Sequence, residues 1–439
     1  MVFFRKENIL FLLIFLSSSV FVGSGVEASL DDGCLSKNIP LNNAHHLSCE
    51  SERYMSPNKR NGESSSVENI RESLPTTPIE MPLPLLDRWE ANMVKYGDKW
   101  GRYLESYHPK PLSYNEAKGI YYDAQRIYFQ IATYTGESEP WESYAEESER
   151  VYRTYLDSRK WITQGWRKFP HGFYLDWLRK GNPADKEALR ALRDNKVFHN
   201  PEASRKAWYW SHRSREIAYA LDANVFAERA GHTRNSARVT LYVEMALNHI
   251  DEWVTGKSGN PNPQKHRFAP FMAGLTAEAL ISYYEWEVEQ GNTPDDRIPN
   301  SLAALAGFLW SSKVTEGPEA GKSMWVEDVG GRRPRWTDEG GTGYGAFRYE
   351  NKNRARPAPS LNLMIAPLYA WLYKHFGDSV YIERGDLIWE GGVALSNVGW
   401  NTKIFNQNYR WSFSYVEWRG EGNEKRLLTA KPAHILVKE

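Results

Sequence analysis

His375 to Tyr381, "HFGDSVY", closes one helical pattern and opens another. An apolar-periodic run ends at Gly377, the residue type that tolerates the left-handed backbone of a last helical turn. Asp378 then stands where a side-chain oxygen can cap the next helix. The stretch therefore reads as the tight turn of a helical hairpin. The same grammar recurs at Gly97 ("KYGDKW"), Gly136 ("YTGESEPW"), Gly181 ("RKGNPADK"), Gly231 ("RAGHTRNS") and Gly291 ("EQGNTPDD"), with Asp98, Glu137, Asn182, Thr233 and Thr293 as the following helix starters. Six such units in succession predict an all-α domain over 84–418, built as consecutive hairpins.

Hairpins joined by short turns at one end must be connected to one another at the opposite end. The long connections 157–170, 254–267 and 313–360 fall there, so one face is expected to carry most of the elaborate loops, where function concentrates. Residues 400–418 alternate like a strand at Tyr409, Trp411, Phe413 and Tyr415, yet Phe405, Tyr409, Ser412 and Val416 also suit a helical face. The helical reading is preferred.

This pattern resembles the six-hairpin, or (α/α)6 toroid, superfamily of carbohydrate-active proteins, which includes glycoside hydrolases, polysaccharide lyases and sugar epimerases. The resemblance rests on the repeated unit at "YGDKW", "TGESEPW" and "FGDSVY" and covers roughly 84–418. It implies a sugar site in the funnel on the long-loop face. It identifies no individual family, and fold alone does not establish activity.

Outside the helical region the chain divides into three segments. Arg5 and Lys6 precede an apolar run from Ile9 to Val22, followed by small residues around Val26-Glu27-Ala28. Residues 1–28 thus read as a secretory signal peptide, too short in its apolar part for a spanning helix, which implies a secreted or periplasmic protein with no transmembrane anchor after cleavage. Residues 29–77 are polar and aperiodic, as in a flexible linker. Residues 420–439 form a polar tail. The two cysteines, Cys34 and Cys49, lie in the linker and either close a short loop or remain thiols; nothing in the pattern leads from them to catalysis.

Formal net charge is zero, so bulk electrostatics selects no partner. Local patterning is more informative, because the basic segments "GWRKFPHGFYLDWLRKG", "WSHRSR", "GGRRPRW" and "NKNRARP" are interleaved with aromatics. His212, Glu216, Tyr219, Ala223 and Phe226 fall on one helical face. His171 and Tyr174, with Asp176 and Trp177, occupy the start of the third hairpin; His266 and Arg267 occupy the start of the fifth, and Asn362 that of the sixth. A histidine or tyrosine beside arginines is suited to abstracting a proton next to a uronic acid carboxylate, with the cation offsetting charge.

On this reading the candidate catalytic residues are His171, Tyr174, His212, Arg213, Tyr219, Asp338 and Glu339. The candidate substrate-binding residues are Trp208, Trp210, Arg267, Trp325, Trp336, Tyr344 and Arg348, whose flat rings and guanidinium groups suit a sugar chain. The expectation is a polysaccharide lyase acting on an anionic glycan. The alternatives are a glycoside hydrolase, pairing Asp338 or Glu339 with Asp176, Glu216 or Asp222, and a noncatalytic glycan-binding protein. Nucleic acid is the least favoured ligand given zero net charge. Zinc, phosphate-loop and nucleophile-elbow motifs are absent from the sequence. The expectation is no metal and no cofactor, although a calcium site of scattered carboxylates would leave no compact motif.

Overall fold

A computed structural model describes residues 82–106, 119–195, 211–256, 267–330 and 343–420. The expected signal peptide, linker and C-terminal tail lie outside these residues. The described chain is predominantly helical. Its only named strands, β1 Trp325–Val326 and β2 Ala346–Phe347, pair antiparallel with Trp325 opposite Phe347.

The helices are α1 Leu86–Glu105, α2 Ala124–Thr135, α3 Trp141–Asp157, α4 Pro170–Lys180, α5 Pro183–Asp194, α6 Ser214–Arg229, α7 Ser236–Thr255, α8 Pro270–Glu289, α9 Arg297–Ser311, α10 Ala366–Phe376, α11 Ser379–Leu395, α12 Thr402–Tyr409 and α13 Ser412–Arg419. Two kinds alternate along the chain. Helices α1, α5 and α9 bury one stripe each, such as Trp89, Met93, Gly97, Gly101 and Leu104 on α1. Helices α6 and α8 are buried almost all round: Glu216–Ala227 and Pro270–Ile281 run without an exposed position. A single apolar stripe marks a helix facing solvent on its other side, whereas all-round burial marks one enclosed by neighbours.

Packing follows that division. Helix α2 packs on α4, α4 on α6, α6 on α8, α8 on α10, and α10 on α13, while α12 meets α2. The helices between them in sequence pack outside: α3 on α1 and α2, α5 on α4 and α6, α7 on α6 and α9, α11 on α10. The first and last helices are locked together by Trp89, which lies against Trp389, Tyr409 and Phe413, donates to Ser412 Oγ at 3.2 Å and accepts from Tyr409 Oη at its carbonyl.

Five of the six glycine turns are found. Gly136, Gly181, Gly231, Gly291 and Gly377 all adopt positive φ between paired helices, and Asp378 and Asn182 cap the following helices with side-chain hydrogen bonds to Val380 and Ala184 N–H. Glu137, Thr233 and Thr293 precede the true caps, since α3, α7 and α9 begin after Pro140, Asn235 and Asp296. Gly97 corrects the expectation, because it and Asp98 lie inside α1 rather than at a turn. A Cβ at Gly97 would come within 3.1 Å of the Trp141 ring, so this glycine permits close helix approach. Asp98 accepts from Tyr144 Oη at 2.8 Å across the same contact. The 400–418 segment is helical, as α12 and α13. Among the described residues no helix is long and apolar enough to cross a membrane.

Candidate functional site

One of two strained pairs in the described chain, the other being Lys160–Trp161 after α3, lies just before α2. Tyr122 and Asp123 both have φ 67°, two consecutive non-glycine residues in the left-handed region. Each such residue costs on the order of 1–3 kcal/mol unless its surroundings hold it, and such strain clusters where a side chain must be aimed. Here the holding groups are identifiable. Asn406 on α12 donates from Nδ2 to the carbonyls of Gly119 (3.1 Å) and Tyr121 (2.7 Å), and Gln407 donates to Tyr122 Oη at 3.2 Å. Asp123 accepts from the backbone N–H groups of Arg126 and Gly172, tying the turn to α2 and α4.

The turn presents Tyr121. Its hydroxyl lies 3.5 Å from Arg215 Nη1 at the start of α6, and Arg215 in turn pairs with Glu216 at 2.8 Å and sits over the Trp166 ring at 5.6 Å. On the other side Lys403 Nζ lies 5.6 Å from the Tyr121 ring centroid. Lys403 and Gln407 also line a cavity of about 250 Å³ with Tyr349, Arg356, Ser360 and Asn401. These groups come from the segments leading into α2, α4, α6, α10 and α12, so they gather at the end of the molecule where long connections enter the enclosed helices. Burial, reinforced by neighbouring Tyr122, pushes the Tyr121 phenol above its ordinary range, with Arg215 pulling the other way. A phenol in that state keeps its proton at neutral pH and is a weaker acid than an ordinary tyrosine, yielding its proton only to a strongly basic oxygen.

A second polar group lies deeper. Glu278 on α8 is ion-paired with Arg126 and with Arg410 (2.9 Å), and Arg410 also reaches Asp222 at 3.5 Å and lies under the Tyr219 ring. Burial and the charge of Glu278 push Asp222 up, whereas Glu278, despite its own burial, is held down by Arg410 and Arg126. Arg126, Asp222 and Glu278 line a cavity of about 310 Å³ together with His171, Tyr174, Phe226 and Arg229.

The residues expected from sequence are therefore divided. His171 and Tyr174 meet in the deeper cavity, where His171 lies against Phe226 with ring centroids 4.3 Å apart, and burial together with Arg126 drives its imidazole well below the ordinary range. His212 and Arg213 form a 3-10 turn at the other end of α6. Fourteen residues of mostly helical chain separate His212 from Phe226, about 20 Å, so His212 and His171 do not share a cavity. Tyr219 is fully buried between these levels and its hydroxyl has no hydrogen-bond partner among the described residues. Arg267 is paired with Glu350. Trp325 is buried, stacked on Trp310 at 4.9 Å, and so packs the core rather than offering a face to a ligand. Arg348 spends its guanidinium on the carbonyls of Ser323 and Ala355 and on Glu319. Tyr344 is half-buried, its carbonyl accepting from Val329 N–H. Trp208, Trp210, Trp336, Asp338, Glu339 and His266 lie outside the described residues.

Sequence reading missed Tyr121, Lys403 and Gln407. "GIYYDAQR" carries no pattern announcing a left-handed turn, and Lys403 and Gln407 become relevant only once α12 is placed beside α2. Trp166, Arg215 and Arg356 do fall in the basic aromatic segments already singled out.

One carboxylate cluster has metal-like geometry. Ligand atoms of Glu149, Asp176 and Asp185 lie within 4.8 Å of one another among α3, α4 and α5. Arg153 already pairs with Glu149 and Asp185, and Lys180 with Asp176, so resident cations occupy the places a hard cation would need. Asp176 is pushed up to about 6, first by burial and then by its hydrogen bond with Glu149, with Lys180 opposing. An acid with a raised folded-state pKa binds more protons folded than unfolded, so its contribution to stability falls as pH rises from about 4 through 6. Asp176→Asn should therefore gain thermal stability over the parent as pH increases across that window, by about 1–2 kcal/mol at pH 7 after allowance for screening. Melting curves at pH 4 and pH 7 measure it; a constant difference between parent and variant refutes the assignment.

Comparison with protein-family models, with curated proteins and with solved structures found no match for this chain.

Proposed function

We propose that the chain is an exported carbohydrate-active enzyme whose helices form an α/α toroid, with a polysaccharide-lyase site around Tyr121 and Arg215. Support for the ring is the packing order: α2, α4, α6, α8 and α10 each neighbour the next, and the C-terminal α12 and α13 complete the circuit with α1 outside them. The sixth hairpin would then be assembled from the two ends of the helical region. Export rests on the signal-like N-terminus.

The observation that carries the activity is the Tyr121 hydroxyl set on Arg215 by a strained, externally clamped turn, in a region where the cations Arg215, Lys403 and Arg356 outnumber the carboxylates Glu216 and Asp123. In this scheme Arg215 binds the carboxylate of a uronic acid unit and acidifies the adjacent C5–H. His212, in the 3-10 turn that leads into α6 four residues before Glu216, takes that proton. The C5 electron pair forms the C4–C5 double bond, the C4–O bond breaks, and Tyr121 protonates the departing oxygen. His212 then releases its proton to solvent and Tyr121 is reprotonated.

A second reading, glycoside hydrolysis, is favoured by the opposite displacements of Asp222 and Glu278, because two carboxyls held in different protonation states are an acid and a base. Product chemistry separates the two. With polygalacturonate, alginate and chondroitin, the lyase gives ultraviolet absorbance from an unsaturated uronate at each cleavage. New reducing ends without that absorbance would transfer the activity to hydrolysis, and neither signal on any of these polymers would refute the lyase assignment.

A further inference from the structure

Beyond the small cavity beside Tyr121 lies a larger one, of about 710 Å³, and both are bordered by Arg356 and Pro357. The shared wall makes the two hollows successive parts of one depression. Its cations divide into two kinds. Arg348 is nearly buried and bound to carbonyls, and Lys352 is paired with Glu316 at 2.7 Å, so both are structural. Arg354 and Arg356 differ: both side chains are exposed, and neither makes an ion pair with a described residue. Their backbone is nevertheless fixed. Arg354 N–H donates to Glu350, the Arg356 carbonyl accepts from Tyr349 N–H, and Arg348 bridges to Pro357. Two uncompensated guanidinium groups on a braced loop do little for the fold. They retain their capacity to bind anionic oxygen pairs.

We propose that this depression is an extended subsite for a polyanionic glycan, and that Arg354 and Arg356 make the protein select long chains over short ones and cleave inside them. The proposal rests on the reading of the Tyr121 end as a lyase site and adds the mode of substrate engagement. The cationic path runs from Arg215 through Lys403 and Arg356 to Arg354, with neutral hydrogen-bonding groups at Gln407, Ser360 and Asn353 and one carboxylate, Glu319, that Lys322 and Arg348 neutralise. Alternating cation and neutral donor matches a chain that carries one carboxylate and several hydroxyls per unit, whereas a nucleic acid track would favour stacking faces along its whole length.

The test is calorimetric binding of polygalacturonate and its trimer to the full chain, compared with the doubly substituted Arg354→Gln, Arg356→Gln protein, at low and moderate salt. The parent should bind the polymer at least tenfold more tightly per site than the trimer, and the substitutions should remove most of that advantage and flatten its salt dependence. Parent and variant binding the polymer equally, or the parent showing no length preference, overturns the subsite. Tighter binding of single-stranded DNA than of any anionic glycan overturns it in favour of a nucleic acid track. Binding is read without turnover, so length-selective binding with no product would sink the lyase assignment alone, and product without length selectivity would sink the subsite alone.

Discussion

Tyr121→Phe should abolish most turnover, by about 10²–10⁴-fold in kcat, while leaving the melting temperature and polymer affinity near parental values. The magnitude is that of removing one positioned general acid. The phenylalanine ring preserves the packing of Tyr121 against Tyr122 and Phe169. The substitution also spares the Arg215 pairing with Glu216. The pH profile supplies a further check. Because the phenol is raised and protonated at neutrality, the alkaline limb of the parent's kcat should lie above the ordinary tyrosine range and should be missing from the residual activity of the variant. Steady-state kinetics on the responsive polymer settle this; a variant within fivefold of the parent would remove Tyr121 from the chemistry.

The second large effect concerns stability. A Cβ at Gly274, in the second turn of α8, would lie 2.0 Å from the carbonyl oxygen of Met364 and 3.0 Å from its carbon. Both are backbone atoms, so no rotamer change relieves the clash. Met364 ends the 3-10 segment Pro359–Met364, whose Asn362 donates to the carbonyls of Gly345 and Ile388 and accepts from Phe347 N–H. Gly274→Ala would have to push α8 away from this braced segment. Overpacking of this kind costs about 1–3 kcal/mol, and the rigid partner places it at the upper end. The gain in helix propensity from replacing glycine, about 1 kcal/mol, offsets only part of that. A fall in melting temperature of roughly 2–4 °C is expected from such a net loss in a domain of this size; an unchanged melting curve would show that α8 has room to move.

Much of the fold was legible because its rules are local. A glycine that must adopt positive φ, an acidic or amide cap, and a change of apolar period announce a turn without tertiary information. That is why Gly136, Gly181, Gly231, Gly291 and Gly377 read correctly. Gly97 satisfied the same local grammar for a tertiary reason, the approach of α1 to Trp141, and no local rule separates the two cases. The site was less legible. Tyr121 owes its position to Asn406 and Gln407, and His171 and His212 both lie near helix starts although α4 begins deeper along the axis than α6 does. Spacing within one helix revealed the Glu216 and Tyr219 face. Depth relative to neighbouring helices could not be read from it. Trp325 and Arg348 show the same gap, since an aromatic or cation in a glycine-rich loop has the same local sequence signature whether it faces ligand or core.

The clamp on the Tyr121 turn has a consequence for how the protein comes into being. The Asn406 side chain that holds the carbonyls of Gly119 and Tyr121 is more than 280 positions downstream, on α12. A nascent chain emerging from its N-terminus can close its early hairpins at once, but the Tyr121 turn lacks these two braces until α12 has been delivered. Contacts of such separation form late and slowly. If Tyr121 acts as proposed, competence arrives only in that late event, and a molecule clipped before α12 would be inert long before it was unfolded.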